Sequence, residues 1–256
     1  DGTFPNHEAN PLKTETLEAL QARVRGGGYA FGVAFDGDAD RAGFVDETGA
    51  VIPMDLVTAL IAQDILSRRR GVIFYDLRSS RIVRETILAA GGTPMMSRVG
   101  HAFIKQQMRE HDALFAGELS GHYYFRDNYT TESSALAILS LANIVSRAGK
   151  PLSELVAPLR VYRASGEINT EVSGDPKAIL ADIKAAYADG KVFELDGVSV
   201  EYPDWWFNVR CSNTEPLVRL NVEARTSEQM ERKRDELLAR IRHTCEKPAG
   251  SRNASS

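Results

Sequence analysis

The chain has 256 residues, 43% of them hydrophobic, so it is long enough for two or more domains with buried cores. Its formal net charge of −4 argues against nucleic acid as the main partner. Two cysteines do not make a disulfide framework, and no apolar run reaches the length of a membrane span. We therefore expect a cytoplasmic protein without a membrane partner.

The first part of the chain is predicted to alternate helices and strands. A helix over 14–25 ends at three glycines, and two strands follow, Phe31–Phe35 of the buried type and Ala42–Val45. The later elements are predicted, in chain order, as helix Met54–Arg69, strand Val72–Tyr75, helix Ser80–Ala90, strand Pro94–Met96, helix His101–His111, strand Ala113–Ala116 and helix Thr131–Arg147. This alternation, with short glycine-marked connections, predicts α/β domains with a largely parallel sheet.

After about residue 160 the pattern changes to several short strands. The turn signal Asp196-Gly197 predicts a β-hairpin between two of them. The predicted elements are strand Glu167–Val172, helix Pro176–Tyr187, strands Val192–Glu194, Val198–Tyr202, Trp205–Val209 and Leu217–Val222, and helix Ser227–Cys245. Antiparallel strands with two helices predict a smaller α+β C-terminal domain.

An acidic segment, Asp36-Gly37-Asp38-Ala39-Asp40-Arg41, directly follows the first predicted strand. Its three carboxylates alternate with small residues, so they can converge if the backbone curls, and carboxylate oxygens suit Mg²⁺ or a similar hard cation. We expect the segment at the carboxyl end of a sheet strand, where α/β sheets usually bind ligands.

Two other chemistries share this pattern. An EF-hand loop also begins Asp-x-Asp-x-Asp, but Arg41 stands where that loop needs glycine, and the flanks are predicted strands rather than helices. A phosphatase of the haloacid-dehalogenase type, with Asp36 as nucleophile, is the more serious alternative. Other motifs of the chain are needed to distinguish these interpretations.

Two further polar motifs follow predicted strands. Gly117-Glu118-Leu119-Ser120-Gly121-His122 offers a carboxylate that can accept hydrogen bonds from neighbouring sugar hydroxyls, with a hydroxyl and an imidazole beside it. Arg210-Cys211-Ser212-Asn213-Thr214-Glu215-Pro216 offers a guanidinium, hydroxyls, an amide and backbone N–H groups, which together suit a phosphate. Either motif alone is equally compatible with an ordinary polar turn.

Together the three motifs resemble those of the α-D-phosphohexomutase family, most closely its phosphomannomutase/phosphoglucomutase branch. The resemblance covers nearly the whole chain. It implies that Asp36, Asp38 and Asp40 bind Mg²⁺, and that Arg41 and His101 are catalytic. The implied substrate-binding residues are Arg78, Glu118, Ser120, His122, Arg210, Ser212, Asn213 and Thr214. The haloacid-dehalogenase reading has no role for the second and third motifs.

The activity that the resemblance implies is reversible phosphoryl transfer between the 1- and 6-positions of a mannose or glucose phosphate, through a phosphoserine and a hexose 1,6-bisphosphate. Family members carry that serine in a Thr-Ala-Ser-His-Asn-type segment, which does not occur in these residues. We therefore expect no turnover from this polypeptide alone. A non-catalytic module that binds sugar phosphates is the alternative.

The resemblance also implies a division of the chain. Residues 1–50 are expected to be the C-terminal part of a metal-loop α/β domain. Residues 51–161 are expected to form an α/β sugar-binding domain, and residues 162–248 an α+β phosphate-binding domain. A disordered tail is expected over residues 249–256.

Overall fold

A computed structural model describes residues 2–172, 175–212 and 216–246 of the chain. The backbone divides into two compact units, residues 1–161 and 162–256. The finer division expected from the sequence stays a prediction. Within the described part, none of the helices has the length and apolar character that crossing a membrane requires.

The first unit begins with a small antiparallel sheet. A 3₁₀ turn at Thr14–Leu17 leads into helix α1 (Glu18–Arg25), and three strands follow in the order β1 (Phe31–Phe35), β2 (Ala42–Asp46) and β3 (Val51–Ile52). The acidic segment therefore connects the two strands of an antiparallel pair, in which Phe35 lies opposite Ala42. The segment lies at the carboxyl end of a sheet strand, as expected, but this strand belongs to a small antiparallel sheet.

The burial of these strands also differs from expectation. Every residue of β2 is buried, whereas β1 is half-exposed and Phe35 keeps 43% of its surface. Strand β1 is an edge strand, and its residue Gly32 packs against the α1 side chains Leu20 and Val24. Because side chains alternate along a strand, Phe31, Val33 and Phe35 lie on the opposite face.

The second sheet of the first unit is mixed. Its elements are α2 (Met54–Leu66), β4 (Val72–Asp76), α3 (Arg81–Ala89), β5 (Thr93–Ser97), α4 (His101–Glu110), β6 (Phe115–Gly117), β7 (Tyr123–Phe125), β8 (Thr131–Glu132), α5 (Ser134–Ala148) and α6 (Leu152–Val156). The strand order is β5-β4-β6-β7-β8, with β4 parallel to β5 and β6 and the last two pairs antiparallel. The parallel strands match the prediction, whereas β7 and β8 were not predicted.

Helix α5 begins three residues later than predicted. Thr131 and Glu132 pair with β7, and the helix starts at Ser134 after Ser133, whose hydroxyl accepts a hydrogen bond from the Leu136 N–H. A serine that caps a free N–H group in this way is a typical helix start. Thr131 and Glu132 form a strand of only two residues, which is too short to stand out from the helical pattern that follows it.

The second unit is an α+β domain, as predicted. It contains β9 (Arg163–Glu171), α7 (Pro176–Ala186), β10 (Lys191–Phe193), β11 (Val198–Glu201), β12 (Trp205–Cys211), β13 (Leu217–Ala224) and α8 (Ser227–Glu246). All strands are antiparallel, in the order β10-β11-β12-β13-β9. Phe207 and Val209 of β12 pack in one core with Ile183 and Leu237 of the helices, so alternate residues such as Arg210 lie on the other face.

The hairpin between β10 and β11 gives a stability prediction. Gly197 has φ +73°, and a Cβ atom there would lie 2.2 Å from the Val209 carbonyl oxygen. We expect Gly197→Ala to lower the unfolding free energy by about 2–5 kcal/mol, from left-handed strain and overpacking together. Gly166→Ala is the matched control, because Gly166 has φ +70° with nothing within 4 Å of such a Cβ. Equal losses in urea unfolding would show that the clash contributes nothing.

Candidate functional site

The acidic segment curls into a compact loop between β1 and β2. Ala39 has φ +62° and donates its N–H to the Asp36 carbonyl oxygen at 3.3 Å. Asp36 is buried, and its carboxylate accepts from the Arg41 backbone N–H at 3.1 Å and from Arg41 Nε at 2.6 Å. One carboxylate oxygen from each of Asp36, Asp38 and Asp40 lies within 4.8 Å of the others. The loop thus gathers three hard oxygen ligands.

The charges of this loop act differently on its carboxyl groups. Burial alone would raise the pKa of Asp36, but the hydrogen bonds and positive charge of Arg41 outweigh burial and hold that pKa below its usual value. The pKa of Asp40 is raised, first by burial and then by the charges of Asp36 and Asp38, against the opposing effect of His122. A bound cation would relieve this repulsion.

The second motif forms a tight turn between β6 and β7. Glu118 donates its N–H to the His122 carbonyl oxygen, and Gly121 donates its N–H to the Glu118 carbonyl oxygen, both at 3.0 Å. The Glu118 side chain is buried at 2% exposure. Its carboxylate accepts from the Gly100 N–H at 3.2 Å and from the Tyr124 hydroxyl at 2.9 Å.

His122 connects this turn to the acidic loop. Its Nδ1 lies 3.0 Å from Glu118 Oε2 and 2.8 Å from Ser120 Oγ, and its Nε2 lies 3.2 Å from Asp40 Oδ2. The Ala42 N–H also donates to the Gly121 carbonyl oxygen at 3.0 Å. The two loops, about 80 residues apart in the chain, therefore form one site within the first unit.

Electrostatics favour a charged Glu118–His122 pair. Burial alone would lower the pKa of His122, but the hydrogen bonds and charges of Glu118 and Asp40 outweigh burial and raise it. Burial alone would raise the pKa of Glu118, but the His122 contact and further donors hold it below its usual value. Burial and Glu118 raise the pKa of Tyr124, so its phenol keeps the proton that it donates.

A cavity of about 350 Å³ opens beside these side chains. Arg78 reaches it from the end of β4, and His101 from the first turn of α4. The lining residues are Asp40, Arg78, Val99, Gly100, His101, Glu118, Ser120 and His122. Five of the residues predicted from the family's substrate and catalytic sets thus share one cavity with an aspartate of the acidic loop.

The third motif lies in the second unit. Arg210, at 7% exposure, donates from Nη2 to Glu167 Oε2 at 2.7 Å, and Arg219 donates from Nη1 to Glu167 Oε1 at 3.2 Å. The Ser212 N–H donates to the Leu217 carbonyl oxygen at 2.8 Å, at the base of the turn. Asn213 and Thr214 lie outside the described residues, as does the predicted tail.

Sequence reasoning missed two side chains that hold the site together. Tyr124 went unnoticed because β7 is only three residues long and was not predicted. Asp76 directly follows the predicted strand Val72–Tyr75 and received no predicted role, yet it is fully buried and bonded to Arg78. An aspartate two residues before a candidate arginine, at the end of a buried strand, was the signal available for it.

Models of known protein families match the parts of the chain that contain the three motifs. Three family models match successive parts of the chain: phosphoglucomutase/phosphomannomutase alpha/beta/alpha domain II over residues 1–49, alpha/beta/alpha domain III over residues 53–162, and the C-terminal domain over residues 167–240. The chain belongs to the phosphoglucomutase/phosphomannomutase family. The resemblance inferred from the three motifs is confirmed.

The chain matches about half the length of its curated relatives in this family. The chain is 46% identical to a phosphomannomutase of Methanocaldococcus jannaschii, over 93% of this chain and 53% of that protein. It is 38% identical to a phosphomannomutase/phosphoglucomutase of Pseudomonas aeruginosa, over 91% of this chain and 51% of that protein. The chain therefore spans about half the length of the curated relatives that it matches.

Solved structures in the family share the fold. A phosphoglucomutase/phosphomannomutase family protein from Burkholderia thailandensis gives a TM-score of 0.85 at 32% identity, over 98% of this chain and 54% of that one. N-acetylphosphoglucosamine mutase from Aspergillus fumigatus, in complex with GlcNAc-6P and magnesium, gives a TM-score of 0.65 at 14% identity, over 94% of this chain and 54% of that one. The second likeness shows the fold alone.

Proposed function

We propose that this chain carries the metal-binding, sugar-binding and phosphate-binding residues of a phosphohexomutase, which transfers a phosphoryl group between the 1- and 6-positions of a mannose or glucose phosphate. The observation that carries the proposal is the His122 bridge, since it joins the Glu118 carboxylate to the acidic loop at 3.0 and 3.2 Å. The names of the curated relatives support the same activity. The cytoplasmic location expected from cysteine usage stays a prediction.

Substrate binding in the first unit is assigned to side chains of the cavity. Glu118 is charged and shielded from water, so its oxygens can accept hydrogen bonds from two neighbouring sugar hydroxyls. The Ser120 hydroxyl lies beside it and can add one contact, while His122, whose two ring nitrogens face Glu118 and Asp40, holds the carboxylate in place. Arg78 and His101 line the same cavity, where their positive or polar groups suit a phosphate or the reacting oxygen.

The acidic loop fits a magnesium ion. Asp36, Asp38 and Asp40 bring three oxygen ligands together, and the repulsion among them favours a cation. When bound there, Mg²⁺ supplies positive charge for the phosphoryl group in transfer. Arg41, next to two of these carboxylates, is assigned a share of the same charge stabilisation.

The phosphate that does not react is assigned to the second unit, to Arg210, Ser212, Asn213 and Thr214. Arg210 is positioned by Glu167 on the sheet face away from the helices. A guanidinium held by a carboxylate keeps further N–H donors in a fixed plane, and such a plane suits phosphate oxygens. This assignment rests on the motif and on Arg210.

The haloacid-dehalogenase alternative is not favoured. It gives no role to the Glu118 and Arg210 motifs, and the family models and curated relatives that match the chain are those of phosphohexomutases. A non-catalytic sugar-phosphate binding module stays as the second candidate, because the same contacts would serve binding alone.

Calorimetric titration tests the binding part of the proposal. The chain is titrated with mannose 6-phosphate and glucose 6-phosphate in the presence of Mg²⁺, with inorganic phosphate as the control. We expect either hexose phosphate to bind at least about tenfold more tightly than inorganic phosphate, since sugar contacts add to the phosphate contacts. Equal affinity for all three compounds would argue against a sugar site.

A further inference from the structure

Asp76 lies at the end of strand β4 and is not one of the residues that line the cavity. It is fully buried, with no exposed surface. Its Oδ1 accepts from the Arg78 backbone N–H at 2.8 Å and lies 3.4 Å from Arg78 Nε. Its Oδ2 accepts from Arg78 Nη2 at 2.7 Å and from the Leu119 backbone N–H at 2.8 Å. One carboxylate thus holds two separate segments of the site.

The two segments have different origins in the chain. Arg78 lies two residues after the end of β4, whereas Leu119 lies 43 residues from Asp76, between the cavity residues Glu118 and Ser120. Strand β4 pairs with β5 on one side and β6 on the other, and the Leu77 N–H donates to the Ser97 carbonyl oxygen. The sheet therefore fixes the carboxylate, and the carboxylate fixes the arginine and the turn relative to each other.

Charge explains why an acid is needed at this position. The Arg78 side chain is only 8% exposed, and a buried guanidinium requires a negative partner. A carboxylate can accept at both oxygens, as the geometry here demands. An asparagine of the same size would have to turn its NH₂ group towards donors on at least one side.

We propose that Asp76 is a positioning residue of the hexose-phosphate site, acting through Arg78 and through the backbone of Leu119. It sets the distance between the arginine and the Glu118 carboxylate before the ligand arrives. The inference rests on the proposed function for its ligand, while the coupling between the two segments is a property of the fold that can be measured without ligand.

The test compares Asp76→Asn with Asp46→Asn. Asp46 is a matched control because it is also buried, at 3% exposure, and also accepts three hydrogen bonds, from Thr48 and Ala50, in a turn outside the cavity. We expect Asp76→Asn to weaken mannose 6-phosphate binding by about tenfold or more, as loss of a residue that orients ligands does. Asp46→Asn is expected to leave the dissociation constant unchanged. Equal dissociation constants for wild type and Asp76→Asn would overturn the inference.

Two further measurements separate positioning from a general loss of structure. In an Arg78→Ala background, Asp76→Asn is expected to have a smaller effect on the dissociation constant than in the wild type. Without the arginine, Asp76 can act only through the Leu119 backbone. In ¹⁵N spectra without ligand, the Leu119 amide and Arg78 Nε–H signals are expected to move in Asp76→Asn and to stay in place in Asp46→Asn. Unmoved signals would overturn the coupling, whereas failure of the wild type to bind any hexose phosphate would overturn the proposed function instead.

Discussion

Replacing Glu118 with glutamine is expected to weaken hexose-phosphate binding by about 10- to 100-fold, because hydrogen bonds to a charged group contribute about 1.5–3 kcal/mol each. The glutamine keeps the volume but loses the charge that faces His122. Its NH₂ group must also point towards donors, since Gly100 and Tyr124 donate to the two carboxylate oxygens. Titration calorimetry with mannose 6-phosphate and Mg²⁺ measures the change.

A matched control separates this effect from the loss of any buried carboxylate. Glu223 is also 2% exposed and accepts a hydrogen bond from Trp206 Nε1 at 2.6 Å, but it lies in the second unit and is not one of the proposed ligand residues. Glu223→Gln is expected to keep the wild-type dissociation constant. If Glu118→Gln bound as tightly as Glu223→Gln, the carboxylate would not be a sugar ligand.

The second large effect is expected from Asp36→Asn, which should weaken Mg²⁺ binding by at least about tenfold. Asp36 is one of three converging carboxylates and also holds the loop closed through Arg41. Asparagine removes one negative charge and replaces an acceptor oxygen with a donor. In the wild type, Mg²⁺ at 100 times its dissociation constant should add about 2.7 kcal/mol to the unfolding free energy.

Thermal unfolding with and without Mg²⁺ measures this stabilisation directly. Asp46→Asn again serves as the control, because it removes a buried aspartate ten residues away that does not belong to the three-carboxylate group. At the same Mg²⁺ concentration, Mg²⁺ should raise the melting temperature of the wild type and of Asp46→Asn, and should stabilise Asp36→Asn by only about half as much or less, about 1.4 kcal/mol for a tenfold weaker site. A similar increase in all three proteins would place the bound ion elsewhere.

Local patterns predicted the fold class and the convergence of the three carboxylates well, because the information lies within a few residues. The alternating spacing of Asp36, Asp38 and Asp40 brings the carboxylates together once the loop curls. The Asp196-Gly197 pair favours a hairpin through its own backbone geometry. Most helices and parallel strands followed from periodicity and glycine-marked ends. Their order along the chain also predicted a separate antiparallel domain, which the structure confirms.

Other features depend on contacts that no local pattern contains. Strand β1 has a sequence typical of a buried strand, but its position at the edge of the sheet leaves Phe35 exposed. The role of Asp76 requires Leu119 to arrive from 43 residues away, and the role of Tyr124 requires β7 to turn back beside β6. Such pairings are decided by the packing of the whole unit rather than by the residues on either side.

The hydrogen bond from the Ala42 N–H to the Gly121 carbonyl oxygen has a consequence for how this protein can diversify. It joins main-chain atoms only, so this link between the acidic loop and the Glu118 turn does not depend on the side chains of the residues that it joins. Gly121 is the constrained position, since it has φ +91° and a Cβ there would lie 3.0 Å from the Ala42 carbonyl oxygen. We therefore expect substitutions at the cavity residues Val99 or Ser120 to alter the proposed sugar contacts while the distance between the two loops is preserved.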